Sequence, residues 1–224
     1  MNDALENAAA RANVLARVRR AMGRTGPDAA KLREAEDYMS RHAHGPRPAM
    51  PADLVARFAE RAQDMASTLE RLAERAEIPA AVRRYLDAMQ VTGAERDGVC
   101  WPELADLDWA GAGLSVENRP TQGQDKLGIT GTYCAIAETG TLVVLPGPDL
   151  PTATALLPDT HVAVVSAARV VSGMEDMFAL LRAERGRPPR AINMISGPSR
   201  TGDIEQTIVL GAHGPFRVHI LLLP

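Results

Sequence analysis

Residues 218–223 read Val-His-Ile-Leu-Leu-Leu, an apolar run broken only by His219. A strand with one wet face alternates polar and apolar side chains. A run that is apolar at almost every position fits a strand covered on both faces, as in the parallel sheets of α/β domains. Residues 161–166 and 191–195 have the same texture, and a helical pattern over residues 174–184 separates them. Strand, helix, strand in this order predicts a sheet with helices on both faces, a three-layer α/β architecture. Two further strands are expected over residues 131–137 and 141–145, joined by Glu138-Thr139-Gly140 in a hairpin or tight connection, with a weak strand at 114–116. Such a sheet needs a large core. The chain supplies 46% apolar residues but only 4% aromatics, so Leu, Val, Ile, Ala and Met must fill it.

The N-terminal third reads differently. Leu5, Ala8, Ala12, Leu15 and Met22 recur at helical spacing, and a second helix is expected over residues 28–42. Three prolines and a glycine in residues 44–51 mark a linker. Leu54, Val55, Phe58, Ala62, Met65, Leu69 and Leu72 then form one apolar stripe, which predicts a single long helix over residues 52–76, with another following at 79–89. We therefore expect residues 1–90 to be an all-helical region, packed on or extending from an α/β domain of residues 91–224.

Composition narrows the function. The net charge is −3 and no aromatic platform is visible, so a nucleic-acid partner is not expected. No apolar run approaches the roughly 20 residues of a membrane span, and residues 1–20 lack the apolar core of a signal peptide, so the cytoplasm is the expected compartment. The two cysteines, Cys100 and Cys134, lie far apart and form no CxxC. An iron–sulfur cluster needs about four thiolates, so none is expected in this chain. No histidine–carboxylate cluster marks a metal site either.

Four segments carry residues suited to chemistry. Ser196, Gly197, Ser199, Arg200 and Thr201 follow a predicted strand; hydroxyls, close backbone approach and a guanidinium fork suit an anion. A helix starting near Thr201 would add its free N–H groups, with Asp203 and Glu205 in support; alternatively Thr201 or Asp203 caps that helix and Arg200 pairs with an acid. Glu138, with Thr139 and Gly140, ends an apolar stretch and suits acid–base or nucleophilic work, or else pairs with an arginine such as Arg200. His213 stands between glycines and can reach a ligand or hold a turn, while His161 and His219 read as core. Residues 122–132, with Lys126, read as a polar loop.

Taken together, Tyr133-Cys134-Ala135-Ile136-Ala137-Glu138-Thr139-Gly140-Thr141, Leu157-Pro158-Asp159-Thr160-His161-Val162, Ser196 through Glu205 and Gly211-Ala212-His213-Gly214-Pro215 resemble the lactate utilisation protein C family, the LUD domain. The resemblance covers roughly the second half of the chain. It implies a Rossmann-like fold akin to glucosamine-6-phosphate deaminase, ribose-5-phosphate isomerase and the CoA transferases. It also implies a part in oxidising L-lactate to pyruvate beside two partner proteins, one of which carries iron–sulfur clusters. This chain would be the cluster-free subunit, binding a small carboxylate or other anion or organising the partner, with self-association possible. The fold analogy leaves open a free-standing CoA transferase-like or isomerase-like enzyme, or a small-ligand sensor. Gly202 stands where the family pattern leads us to expect a small residue such as Ala.

Overall fold

The computed structural model describes residues 2–23, 26, 28–204 and 207–224, and divides into two compact units, residues 1–48 and 49–224. The first unit holds α1 (Asn2–Ala21) and α2 (Ala29–Arg41). Asp28 caps α2, its carboxylate accepting from the N–H groups of Ala30 and Lys31, which satisfies donors that the first helical turn leaves free.

The second unit begins with α3 (Leu54–Asp64), capped by Asp53, whose side chain accepts from Ala56 N–H at 2.8 Å. The expected long helix stops here. Ala66 turns the backbone at φ 65°, and β1 (Thr68–Arg71) pairs in parallel with the last strand. The all-helical expectation for the first 90 residues is thus corrected at β1. Leu69 and Leu72 continue the helical stripe only in spacing. Leu69 packs with α3 and Leu72 with α4, on opposite faces of the sheet, a case of tertiary packing overriding a local period.

The remaining elements are α4 (Ile78–Ala88), β2 (Gly98–Cys100), β3 (Val116–Glu117), β4 (Leu127–Gly131), β5 (Cys134–Ile136), β6 (Thr141–Val144), α5 (Ala153–Leu156), β7 (Thr160–Ser166), β8 (Val170–Val171), α6 (Met174–Arg185), β9 (Asn193–Ile195), β10 (Arg200–Ile204), β11 (Thr207–Leu210) and β12 (Arg217–Leu223). A six-stranded parallel sheet has the order β1-β12-β7-β4-β2-β3. A second sheet of order β8-β5-β6-β9 is mixed, and β10 and β11 form a separate hairpin. The fold is therefore mixed α/β around a parallel central sheet.

Three packing clusters order the layers. Ile78, Val82 and Leu86 of α4 cover one face of the parallel sheet at Leu127, Ile129, Val162 and Leu221. The other face, with Ala163, Val165, Ile220 and Leu222, meets Phe58 and Ala62 of α3 and the inner residues of the second sheet, Ala135, Leu142 and Val144. The outer face of that second sheet, with Cys134, Ile136 and Val143, packs on Met177 and Leu181 of α6. Each fully buried Leu, Ile or Phe contributes roughly 1.5–3 kcal/mol relative to exposure. The alternation of β7 and β12 between clusters confirms that both strands are covered on both faces.

Two further expectations change. The stretch over residues 122–132 contains β4, a central strand buried along its length. Its glycines gave it the look of a loop, yet they serve close approach. A Cβ at Gly128 would stand 2.0 Å from the carbonyl oxygen of Thr154 in α5. No helix starts at Thr201: the chain there is β10 of the hairpin, so neither a cap nor a helix N-terminus exists at that position. His161 and His219 are core, as expected. Among the described residues, no helix is long and apolar enough to cross a membrane.

Candidate functional site

Parallel sheets have two unlike edges, and the motif-bearing segments gather at the amino edge. Gly197 lies against Met65, just before β1; the Ser199 N–H donates to Pro215 O at 2.9 Å, just before β12; and Gly214 lies near Ser199 and Leu156, just before β7. Thr141 Oγ1 links Thr139 Oγ1 and Ser196 Oγ, both at 2.6 Å, so the Glu138–Thr141 turn joins the same network. The segments do converge, but on the packing side of the fold. The reason is that β9, which precedes Ser196, belongs to the second sheet and runs antiparallel to β6; its end is not a carboxyl end of the parallel sheet.

The groups expected to bind a ligand are largely engaged in the scaffold. Arg200 donates through Nη2 to Met65 O at 3.0 Å. Ser199 Oγ accepts from the His213 N–H at 3.3 Å, and Ser199 O accepts from Gly211 N–H at 2.9 Å. Gly197 has φ 79°, and a Cβ there would be 2.0 Å from Met65 O; at Gly140, φ 67°, it would be 2.4 Å from Ala62 N. Both positions demand glycine by backbone angle and by space. Glu138 is half-buried, its N–H donating to Ser172 O at 3.0 Å, and no ion pair joins it to Arg200. Arg200 lines a cleft of about 410 Å³ with Tyr85, Phe216 and Arg217, and Glu138 is not on its wall. The side chains of Asp203 and Glu205 lie outside the described residues. Thr201 sits in β10 opposite Val209.

The carboxyl edge is built differently. Chain order runs from β2 outward to β3, then back to β4 and on to β7 and β12, so the direction of winding reverses between β2 and β4. Ligands of open α/β sheets bind outside the carboxyl ends of strands at such a reversal. A cleft of about 310 Å³ opens there, walled by Trp101 and Glu103 after β2, Thr132 and Tyr133 after β4, and Arg169, Glu184 and Arg185. The Glu103 carboxyl rests directly on Gly131, where a Cβ would stand 1.6 Å from Glu103 Oε1. Glu103 is accessible from the cleft, yet this packing removes part of its water and raises its pKa, opposed by the charge of Arg75. Its carboxylate makes no hydrogen bond or ion pair among the described residues, whereas its carbonyl oxygen accepts from Arg75.

Opposite Glu103, Arg169 is held by Glu184, donating from Nη2 to Oε2 at 3.0 Å, and by its Nε bond to Tyr133 O at 2.9 Å. That pairing holds the Glu184 carboxyl down at about 2. Arg169 lies 4.8 Å over the Tyr133 ring and Arg185 lies 5.9 Å from it. Burial, with Glu184 beside it, raises Tyr133 above the ordinary phenol range. A second cleft, about 430 Å³, flanks the first behind Pro102, with Asn118, Arg119 and Pro151 on its wall. Its arginine is spent on Asp125 at 2.7 Å and Glu117 at 2.6 Å. Sequence reasoning missed Glu103 and Arg185, because neither stands in a patterned segment; the available signal was the glycine that ends β4.

Among the described residues no group of three or more His, Cys, Asp or Glu is placed to hold a metal ion. Cys100 and Cys134 are buried in different packing clusters, and burial pushes their thiols up to about 11 and about 12.

An open six-stranded parallel sheet covered on both faces defines a mixed α/β protein. The family model for the LUD domain matches residues 55–223, and the chain belongs to that family. It is 33% identical over 127 residues to lactate utilization protein C of Bacillus subtilis (strain 168), covering 55% of this chain and 53% of that protein. Over 97 residues it is 38% identical to the protein of the same name from Halalkalibacterium halodurans, covering 42% of each. The matched stretch is thus about half the length of these relatives. A crystal structure of a DUF162 family protein from Deinococcus radiodurans superposes with a TM-score of 0.56, covering 79% of this chain and 100% of that one at 24% identity; this likeness supports the fold.

Proposed function

We propose that this chain serves L-lactate utilisation in the cytoplasm, as the cluster-free component of an iron–sulfur-containing system that oxidises L-lactate to pyruvate. The observation that carries the reading is family membership over residues 55–223, together with relatives named lactate utilization protein C. The cysteines support the division of labour. A cluster takes about four thiolates, and the two in this chain sit in separate cores with their thiols held protonated. Electrons from lactate would then pass to clusters on partner proteins. A cleft of about 310 Å³ is ample for a three-carbon acid.

The test is genetic and biochemical together. Deleting the gene should abolish growth on L-lactate but not on glucose, and the intact chain should restore it. Purification from lactate-grown cells should recover iron–sulfur proteins with lactate-oxidising activity. Unchanged growth on lactate, with a chain that purifies alone, would overturn the proposal.

A further inference from the structure

We infer that the cleft between the carboxyl ends of β2 and β4 binds a small carboxylic acid bearing an adjacent hydroxyl or carbonyl, with Arg185 meeting its carboxylate and Glu103 facing the adjacent oxygen. The acid class rests on the proposed role in lactate utilisation; the location rests on the fold. Three observations converge on the location. The winding of the sheet reverses there. Gly131 leaves room for the Glu103 carboxyl, which makes no hydrogen bond or ion pair among the described residues. Across the cleft, Arg169 and Glu184 neutralise one another, while Arg185 is exposed, lies 5.9 Å from the Tyr133 ring and has no ion-pair partner among the described residues. One cation is left to meet an anion, and one carboxyl is left to share a proton with it.

Charge fixes how binding depends on pH. Glu103 faces Arg75, itself paired with Asp106, on its own side, and the Tyr133, Arg169, Glu184 and Arg185 group across the cleft. A carboxylate arriving beside Glu103 favours the protonated form of that side chain, which then donates to the ligand. Affinity should rise as pH falls toward the range in which Glu103 takes up its proton, and this slope should vanish in Glu103→Gln, which keeps a donor at all pH values.

The experiment is calorimetric titration of the purified full chain with L-lactate, pyruvate and acetate. L-lactate or pyruvate should bind at least tenfold more tightly than acetate. Arg185→Ala should lower that affinity at least tenfold, and Arg57→Ala, which removes a surface pair with Glu60 on α3, should leave it within twofold. Unfolding curves of each variant confirm that the fold is kept. Three results would overturn the inference: no binding of any probe at roughly 10 mM, full affinity in Arg185→Ala, or loss of affinity in Arg200→Ala with Arg185→Ala unaffected. Lost growth on lactate without binding by this chain sinks the site and spares the functional proposal. Binding that depends on Arg185 in a chain dispensable for growth on lactate does the reverse.

Discussion

The two edges of the parallel sheet carry opposite kinds of residue. At the amino edge, glycines and hydroxyls are dense in the sequence, and several motif side chains are held by protein partners: Arg200 on Met65, Ser199 on His213 and Gly211, Thr141 between Thr139 and Ser196. At the carboxyl edge the residues are scattered, from Trp101 to Arg185, yet the side chains of Glu103 and Arg185 form no hydrogen bond or ion pair among the described residues. A dense motif can mark the place where backbones must pack tightly. A ligand site is marked by groups the fold leaves unsatisfied.

The largest effect that tests this contrast is at Gly197. Gly197→Ala puts a Cβ 2.0 Å from Met65 O at φ 79°, and should cost about 3 kcal/mol or more in urea unfolding, with Gly140→Ala close behind. A loss under about 1 kcal/mol would mean that the amino edge is looser than its contacts indicate, and would reopen it as a ligand site.

Next is acid sensitivity, which also belongs to the amino half of the sheet. His161 and His219 are buried, each with one ring nitrogen lacking a partner, and burial drops both to about 4. Their folded values lie below the unfolded value of about 6.5, so the unfolded chain takes up protons first. Stability is full above about pH 6.5 and declines toward pH 4, by about 3 kcal/mol for each histidine. Equal stability at pH 7 and pH 5, or an imidazole titrating near 6.5, would count against this.

A smaller term belongs to the Arg119–Asp125 pair, which precedes β4. Arg119, with the Gln122 N–H, holds the Asp125 carboxyl down at about 2. Its folded value is depressed, so the stability it adds is present above the unfolded value of about 3.9 and is lost as pH falls toward 2. Asp125→Asn should cost about 1–2 kcal/mol at pH 7 and progressively less as pH falls toward 2.

The smallest effect sharpens the comparison most. Gly131→Ala meets only the end of the Glu103 side chain, which can swing away. It should change stability by less than about 1 kcal/mol while weakening acid binding. A large loss of stability there would make Gly131 another packing glycine and remove the difference between the edges.

Much of the fold was legible. The apolar runs of β7 and β12 announced a sheet covered on both faces, and helices were expected over residues 28–42 and 79–89, where α2 and α4 lie. What failed has a common cause. Thr68–Arg71 and Leu127–Gly131 take their state from partners far away in sequence, β12 for the first and β2 and β7 for the second, and local periodicity carries no trace of them. The second sheet was hidden for the same reason, since its strands look like those of the first. The candidate site divides likewise. The motif segments were visible and do meet, but Glu103 and Arg185 are paired across a cleft only by topology.

The position of β12 bears on how the chain is made. It lies between β1 and β7, so β1 has no neighbour in the sheet until residues 217–223 have followed it out of the ribosome. Until then β1 and β7 each offer an open hydrogen-bonding flank, and the apolar faces under α3 and α4 lack their central contributor. Assembly of the sheet is therefore a late event, governed by contacts across about 150 residues of sequence. Nascent chains shorter than this should be the ones that chaperones hold.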